Sequence, residues 1–307
     1  MNGNGVAFQV GQNFLSQPAA LQNKRVTIHS LNGGSGELAK NEVALVTGGG
    51  RGLGRAYAIA LARTGMRVAV ASRNAAELNE TVKVLKAMGV DAVGVPTDVT
   101  DEKAVCQMVA TTEEKLGPID LLINGAAISA PFGPTWETDT QEWWRNIEIN
   151  LKGPLLCCHA VAKGMVERGR GRIINVASAA GTQGIGYMSA YVTGKTAFIR
   201  LTEVLAWELR KHNVFAFAMT PGTVKTAMAE ELMQSEAGQR WLPWFKKIFD
   251  EGRDNSSRPG EELIVYLASG KADALTGRFF AAPGAPADIV DKTAQILKGD
   301  LNVLRLR

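Results

Sequence analysis

Cysteine and histidine are scarce in this chain, with three of each among 307 residues. Cys106, Cys157 and Cys158 show neither paired nor metal-type spacing, and two are adjacent in an apolar run. They read as reduced core thiols of a cytoplasmic protein rather than as a disulfide framework. His29, His159 and His212 form no His-x-x-x-His pair and have no acidic cluster beside them, so no metal site is expected. Long apolar stretches are missing as well: none approaches the ~18 residues that a bilayer span requires. The opening Met1-Asn2-Gly3-Asn4-Gly5 lacks the basic start and apolar core of a secretory signal. Charge of one sign is also absent, because the net charge is only +4 and Lys and Arg are scattered among acids. Nucleic acid and membrane are therefore excluded as partners.

What is there is a chain 46% hydrophobic and 21% charged, enough to bury a full core. From Glu42 onward, short apolar runs alternate with amphipathic ones. Strands are expected at Val43–Thr47, Arg67–Ala71, Ala92–Thr97, Leu121–Asn124, Arg172–Ser178, Val214–Met219 and Arg278–Ala281. Continuously apolar strands of this length suit a parallel sheet covered on both faces. Asn74 with Glu77, and Thr138 with Gln141, have the spacing of helix N-caps. No repeat or linker interrupts residues 43 to 282, so residues 41–282 are expected to form one alternating β/α domain. Residues 1–40, rich in Gly, Asn, Gln and Ser, read as an extension that is mobile or laid on a neighbour. Residues 283–307 read as a tail with an amphipathic centre at Ile289–Leu297.

Thr47-Gly48-Gly49-Gly50-Arg51-Gly52-Leu53-Gly54 falls between the first strand and its helix, where backbone amides attract phosphate and glycines permit close approach of a pyrophosphate. Gly48, Gly50, Arg51, Gly52, Leu53 and Gly54 are the candidate contacts. The second strand ends in Ala71-Ser72-Arg73-Asn74, with no acid to accept from a ribose 2′-hydroxyl or to repel a 2′-phosphate. Arg51 and Arg73 are guanidiniums suited to a phosphate, and Ser72 and Asn74 complete the set. The expected cofactor is NADP(H).

Tyr191-Val192-Thr193-Gly194-Lys195 places a phenol and an ammonium four residues apart, on one helical face. Bringing a phenol from its ordinary value near pH ~10 to neutrality takes roughly 4 kcal/mol. A charge about 4 Å away at an effective dielectric near 20 supplies about that much. Tyr191 is thus expected to be a general acid or base whose pKa Lys195 lowers. Ser178, thirteen residues upstream at the end of a strand, could bring a second hydroxyl to the same substrate oxygen.

These residues resemble the short-chain dehydrogenase/reductase family. Its Thr-Gly-x-x-x-Gly-x-Gly matches Thr47 to Gly54, its Tyr-x-x-x-Lys matches Tyr191 to Lys195, and its upstream serine matches Ser178. Asn150 in Asn150-Leu151-Lys152-Gly153 matches the family's catalytic asparagine. Asp98-Val99 matches its adenine contact, and Pro221-Gly222-Thr223-Val224-Lys225-Thr226 its nicotinamide-side segment, which implicates Pro221, Gly222, Val224 and Thr226. The family's Asn-Asn-Ala-Gly appears as Asn124-Gly125-Ala126-Ala127, so Asn124, Gly125 and Ala126 carry over while its second asparagine and last glycine do not. The resemblance implies a Rossmann-like α/β fold, a doubly wound parallel sheet of seven strands in order 3-2-1-4-5-6-7 with helices on both faces. It further implies a site at the carboxyl ends of the strands.

The implied chemistry is NADP(H)-dependent interconversion of a ketone and a secondary alcohol. Tyr191 passes the proton, and Ser178 stabilises the reacting oxygen. Lys195 holds the ribose and tunes the tyrosine, and Asn150 anchors a water leading to Lys195. Competing readings are an epimerase or dehydratase using the cofactor transiently, and a non-catalytic NADP sensor. The stretch from Met228 to Phe245, with Phe132 and Trp136, reads either as an apolar lid or as a subunit interface or minor core. As a lid it suits a fairly large apolar substrate. A homodimer or homotetramer is expected, with contacts at the final strand altered by Ala282-Pro283-Gly284-Ala285-Pro286.

Overall fold

Seven apolar segments pair, all parallel, into one sheet ordered β3-β2-β1-β4-β5-β6-β7 in the computed structural model. They are β1 (Val43–Thr47), β2 (Arg67–Ser72), β3 (Ala92–Pro96), β4 (Ile119–Asn124), β5 (Gly171–Val176), β6 (Val214–Thr220) and β7 (Phe279–Ala281). The structure describes residues 41–282 and 286–305, so the expected extension over residues 1–40 lies outside it. The strand order is the one the resemblance implied. Order reverses between β1 and β4, the point at which an open α/β sheet leaves a crevice above its strand ends.

Alternation along each strand divides the core in two. Ala44, Val46, Val68 and Val70 face one side, with Leu61, Leu78, Leu85, Leu263 and Leu267 from α1 (Gly52–Ala62), α2 (Ala75–Ala87) and α10 (Arg258–Ala268). Val43, Leu45, Ala69 and Ala71 face the other, with Val105, Met108, Cys157, Val161 and Leu209 from α3 (Glu102–Leu116), α5 (Gly153–Arg168) and α6 (Ser189–Leu209). Both faces are covered, which is why the strands carry no polar alternation.

Three local expectations are corrected. The cap of α4 (Thr140–Ile147) is Asp139, whose carboxylate accepts the Gln141 and Glu142 amides, while Thr138 turns its hydroxyl to the Pro134 carbonyl. A carboxylate one residue nearer the helix reaches those amides directly. The helix through Trp143 and Asn150 is not uniform, because a π-helical turn over Glu148–Lys152 joins α4 to α5. Cys106 is exposed rather than in the core, since it follows the buried Val105 by one residue on α3 and so points about a quarter turn away.

Among the described residues, no helix is long and apolar enough to cross a membrane and no cluster of ligands could hold a metal.

Candidate active site

The glycine loop packs so closely at Gly48 and Gly54 that a side chain is excluded at either position. The Thr47 hydroxyl accepts the Gly125 and Ala126 amides at 3.1 and 3.3 Å and so ties the end of β1 to the end of β4. Gly48 has φ +70°, and a Cβ there would lie 2.9 Å from the Ala126 nitrogen. A Cβ on Gly54 would lie 2.2 Å from the Gly48 carbonyl oxygen, so α1 can begin only where a glycine stands. Beside Gly52 the space is open, and no side chain caps α1. Its first-turn amides face a cleft of about 640 Å³.

Most of the expected residues meet in that cleft. Gly48, Gly50, Arg51, Gly52, Leu53, Gly54, Ser72, Arg73, Asn74, Asp98, Val99, Gly125, Ala126, Tyr191, Lys195, Pro221 and Thr226 all line it. Asn74 spends its side chain capping α2, accepting the Ala76 and Glu77 amides. Asp98 is burdened by partial burial, which raises its pKa, but hydrogen bonds from the Thr100 amide and hydroxyl and from Arg145 outweigh that and hold it below the usual carboxylate value. Asn124 lies buried beneath the lining, donating to Asn175 Oδ1 at 2.9 Å and to Cys158 Sγ at 3.3 Å. Gly222, Val224, Ser178 and Asn150 also stand outside the lining. Val224 instead bridges to Asn255.

At the far end of the cleft, Tyr191 lies in the first turn of α6 and Lys195 follows one turn on. Lys195 is 2% exposed, donates from Nζ to the Val176 carbonyl at 3.0 Å, and sits 5.7 Å from the centre of the Tyr191 ring. Burial pushes its pKa down to about 7. The expectation that Lys195 lowers the tyrosine is thereby corrected for the cofactor-free protein. Burial raises the Tyr191 phenol above its ordinary value, only partly offset by its hydrogen bond with Ser178. A lysine stripped of water gives up much of its charge near neutrality and supplies less Coulombic help than a solvated one. Ser178 ends the β5 crossing, and its Oγ accepts the Ala180 amide at 3.2 Å. Asn150 sits in the π-helical turn, fully buried. It donates to Ile128 O at 2.8 Å and Asn146 Oδ1 at 2.7 Å, and its own Oδ1 has no partner.

A sequence profile described as short chain dehydrogenase matches residues 42–237. The chain belongs to the short-chain dehydrogenase family. Members of this family with similar sequences include 2-(S)-hydroxypropyl-CoM dehydrogenase 3 of Xanthobacter autotrophicus, 33% identical over 80% of this chain and 96% of its own. Another is 2,5-dichloro-2,5-cyclohexadiene-1,4-diol dehydrogenase of Sphingobium indicum, 36% identical over 78% and 94%. Among solved structures, NAD+-bound xylitol dehydrogenase is similar at a TM-score of 0.73 and 28% identity, covering 79% of this chain and 97% of that one. The chain is thus an oxidoreductase of this family.

Both readings of the aromatic stretch bear on one feature of this dehydrogenase. Helices α7 (Ala227–Gln234), α8 (Glu236–Trp241) and α9 (Pro243–Asp250) carry Leu232, Trp241, Leu242 and Phe245 into a small apolar cluster. Phe132, Met188, Val192 and Tyr191 itself complete that cluster. The segment is therefore a minor core, and it is built against Tyr191. Trp241 stacks on Tyr187 with centroids 4.8 Å apart, beneath the Arg240 guanidinium at 4.7 Å. Trp136 projects into solvent, 83% exposed, and takes no part.

Three contributors were not anticipated from the sequence. Asn146, one turn before Asn150, donates to the Ala130 carbonyl at 2.6 Å, so two amides on one helical face pin the loop after β4. Their four-residue spacing was the available signal. The Val176 carbonyl that holds Lys195 is a backbone group and left no signal. Glu77 lines the cleft and pairs with Arg51 at 3.7 Å, placing an acid where the end of β2 offered none.

Proposed function

We propose that this protein is an NADP(H)-dependent oxidoreductase that interconverts a ketone and a secondary alcohol of fairly large, mostly apolar character. One observation carries the reading. The glycine cradle and the Tyr191–Lys195 pair open onto the same cleft, so one ligand can span the phosphate-binding turn and the proton-transfer group. A dinucleotide fits this cradle because Gly48 and Gly54 leave no room for a Cβ, while the open side of Gly52 faces outward. The nicotinamide, when bound, supplies or accepts the hydride.

The side chains then manage a proton. Tyr191 is protonated at neutral pH because burial disfavours its phenolate, so in the reducing direction it is a general acid that gives its proton to the substrate oxygen. In the oxidising direction the phenolate takes the proton back. The Ser178 hydroxyl, already bonded to the phenol, stabilises charge on that oxygen. Lys195 titrates close to neutrality and offers its ammonium to the ribose and to the phenolate. The unpartnered Oδ1 of Asn150 suits a water leading toward Lys195. Arg51 and Arg73, both exposed at the adenosine end, are the basis for preferring a 2′-phosphate. Ala127, Ile128, Ala227 and Met228 give the cleft beside Tyr191 an apolar lining, which supports an apolar substrate, and the cluster around Met188, Leu232 and Trp241 shields Tyr191 from water.

Trp144, Leu155, Val204 and Trp207 are exposed on α4, α5 and α6, which supports a homo-oligomer joined through these helices. All three cysteines are unpaired, as suits the reducing cytoplasm.

The test is a panel of ketones spanning size and charge, read by absorbance of the reduced nicotinamide, with NADPH and NADH in parallel. Net consumption of NADPH with bulky apolar ketones is expected. Product formed without net consumption would instead identify an epimerase or dehydratase, and preference for small charged substrates would remove the substrate assignment.

A further inference from the structure

At the adenosine end of the cleft, one acid stands among groups otherwise suited to a phosphate. Glu77, in the first turn of α2, has Oε1 3.7 Å from Arg51 Nη1. A Cβ placed on Gly50 would lie 2.8 Å from Ser72 Oγ and 3.3 Å from Glu77 Oε2, so hydroxyl and carboxylate converge over that glycine. The spacing between loop and helix is fixed, because the Thr81 hydroxyl, one turn beyond Glu77, donates to the Gly50 carbonyl at 3.0 Å. Arg51, Ser72, Arg73 and Glu77 all line the cleft. Arg73 makes no ion pair among the described residues.

The two dinucleotides would meet this group differently. A 2′-phosphate carries about two negative charges and seeks both guanidiniums. It would have to draw Arg51 away from Glu77 and lie beside a like charge. A 2′-hydroxyl needs an acceptor, and Glu77 supplies one while Arg51 stays paired. We propose, resting on the NADP(H) reading above, that Glu77 sets how sharply this protein separates the two cofactors. It competes with the 2′-phosphate for Arg51 and accepts from the 2′-hydroxyl of NAD(H). The consequence is a site that prefers NADP(H) but still admits NAD(H).

The experiment titrates the purified full chain with NADP+ and with NAD+ by calorimetry, without substrate. Glu77→Gln should tighten NADP+ by about five- to tenfold and loosen NAD+ by a few-fold, widening the ratio of their dissociation constants by an order of magnitude. In an Arg51→Ala background, the gain for NADP+ on adding Glu77→Gln should largely vanish, since the competition is for that guanidinium. Equal changes for both ligands would overturn the proposal and leave Glu77 as a helix-stabilising acid. A full gain retained without Arg51 would overturn the route through that residue. Glu77→Ser, which also removes the charge, repeats the test should the glutamine variant fold poorly. The NADP(H) preference itself is read separately from the wild-type ratio. A wild type favouring NAD+ whose ratio still moves toward NADP+ in Glu77→Gln would sink that preference while upholding the role of Glu77.

Discussion

The two ends of the cleft are built on opposite principles. At the glycine-loop end, Arg51, Ser72, Arg73 and Glu77 stand in or near solvent, and the Arg51–Glu77 pair is loose at 3.7 Å. At the Tyr191 end, Lys195 and Asn150 are buried, each fixed by hydrogen bonds of 3.0 Å or less. Exposed charges are screened and individually weak, so recognition there is a sum of small terms. Buried groups have no solvent to replace a lost partner, so each one matters singly. Substitutions at the buried end should therefore be drastic, and those at the exposed end graded and salt-sensitive.

The largest expected effect is that of Tyr191→Phe. Removing the phenolic proton should lower turnover by about 10²- to 10⁴-fold, the usual worth of a general acid or base. Dissociation constants for NADP+ should stay within about twofold, because the ring and its apolar neighbours remain. Turnover close to wild type in a stopped-flow assay would break the contrast at its strongest point.

Lys195 gives the same contrast as a stability effect. Its folded value of about 7 lies below the ordinary 10.5, so between those two pH values the unfolded chain binds more protons than the folded one. Stability contributed by this group therefore rises with pH across that window, and at pH 7 and below the buried lysine costs on the order of 4 kcal/mol. Lys195→Met in the cofactor-free protein should raise the urea midpoint at pH 7, with the advantage shrinking toward pH 10. A pH-independent difference between variant and wild type would show that Lys195 is not desolvated as the geometry requires. The proposed role of Lys195 accounts for such a cost, since its Nζ lies 5.7 Å from the centre of the Tyr191 ring.

At the exposed end, replacing Arg51 and Arg73 together with alanine should weaken NADP+ by about 10- to 100-fold and NAD+ little. Raising ionic strength from low salt to about 0.5 M should erase much of that difference, since exposed charges are then screened within a few ångströms. The Tyr191→Phe defect should not respond to salt. Equal salt sensitivity of both would mean the two ends are not built differently.

This difference also governs what the sequence disclosed. The strand segments and the Tyr191–Lys195 pair were legible because they depend on local spacing, whereas strand order and Asn150 came only with the family resemblance. Continuous apolar runs marked β1 to β6, and Tyr191 with Lys195 declared a shared helical face four residues apart. What stayed hidden depended on approach in space. Glu77 is four residues beyond Arg73, on a helix rather than on the end of β2, and only the fold brings its carboxylate to Arg51. The direction of the Tyr191 shift was misjudged for a related reason. Spacing showed that a lysine is near, but not that it is buried and bonded to the Val176 carbonyl. The aromatic stretch could be read two ways because its residues have no clean period, and its packing against Tyr191 is set by tertiary contact alone.

Asp98 offers the smallest test and the one that most sharpens the contrast. Its Oδ1 accepts the Thr100 amide and hydroxyl, and its Oδ2 accepts Arg145 Nη2 at 3.3 Å, so the carboxylate is held in place although it is partly exposed. It is thus intermediate between the two ends: fixed like the buried groups, but wet like the charged ones. Asp98→Asn keeps the shape and weakens those charge-assisted bonds, which should cost about 1 kcal/mol in binding of the adenine end. The loss should be equal for NADP+ and NAD+, because adenine is common to both. Since its hydrogen bonds hold the Asp98 pKa below the usual carboxylate value, wild-type affinity should show no titration from this group through neutral pH and should fall only in acid, as protonation removes an acceptor. A change in the NADP+ to NAD+ ratio in Asp98→Asn would place this residue among the groups that read the 2′ position, and the exposed end would then extend further along the cleft than Arg51, Arg73 and Glu77.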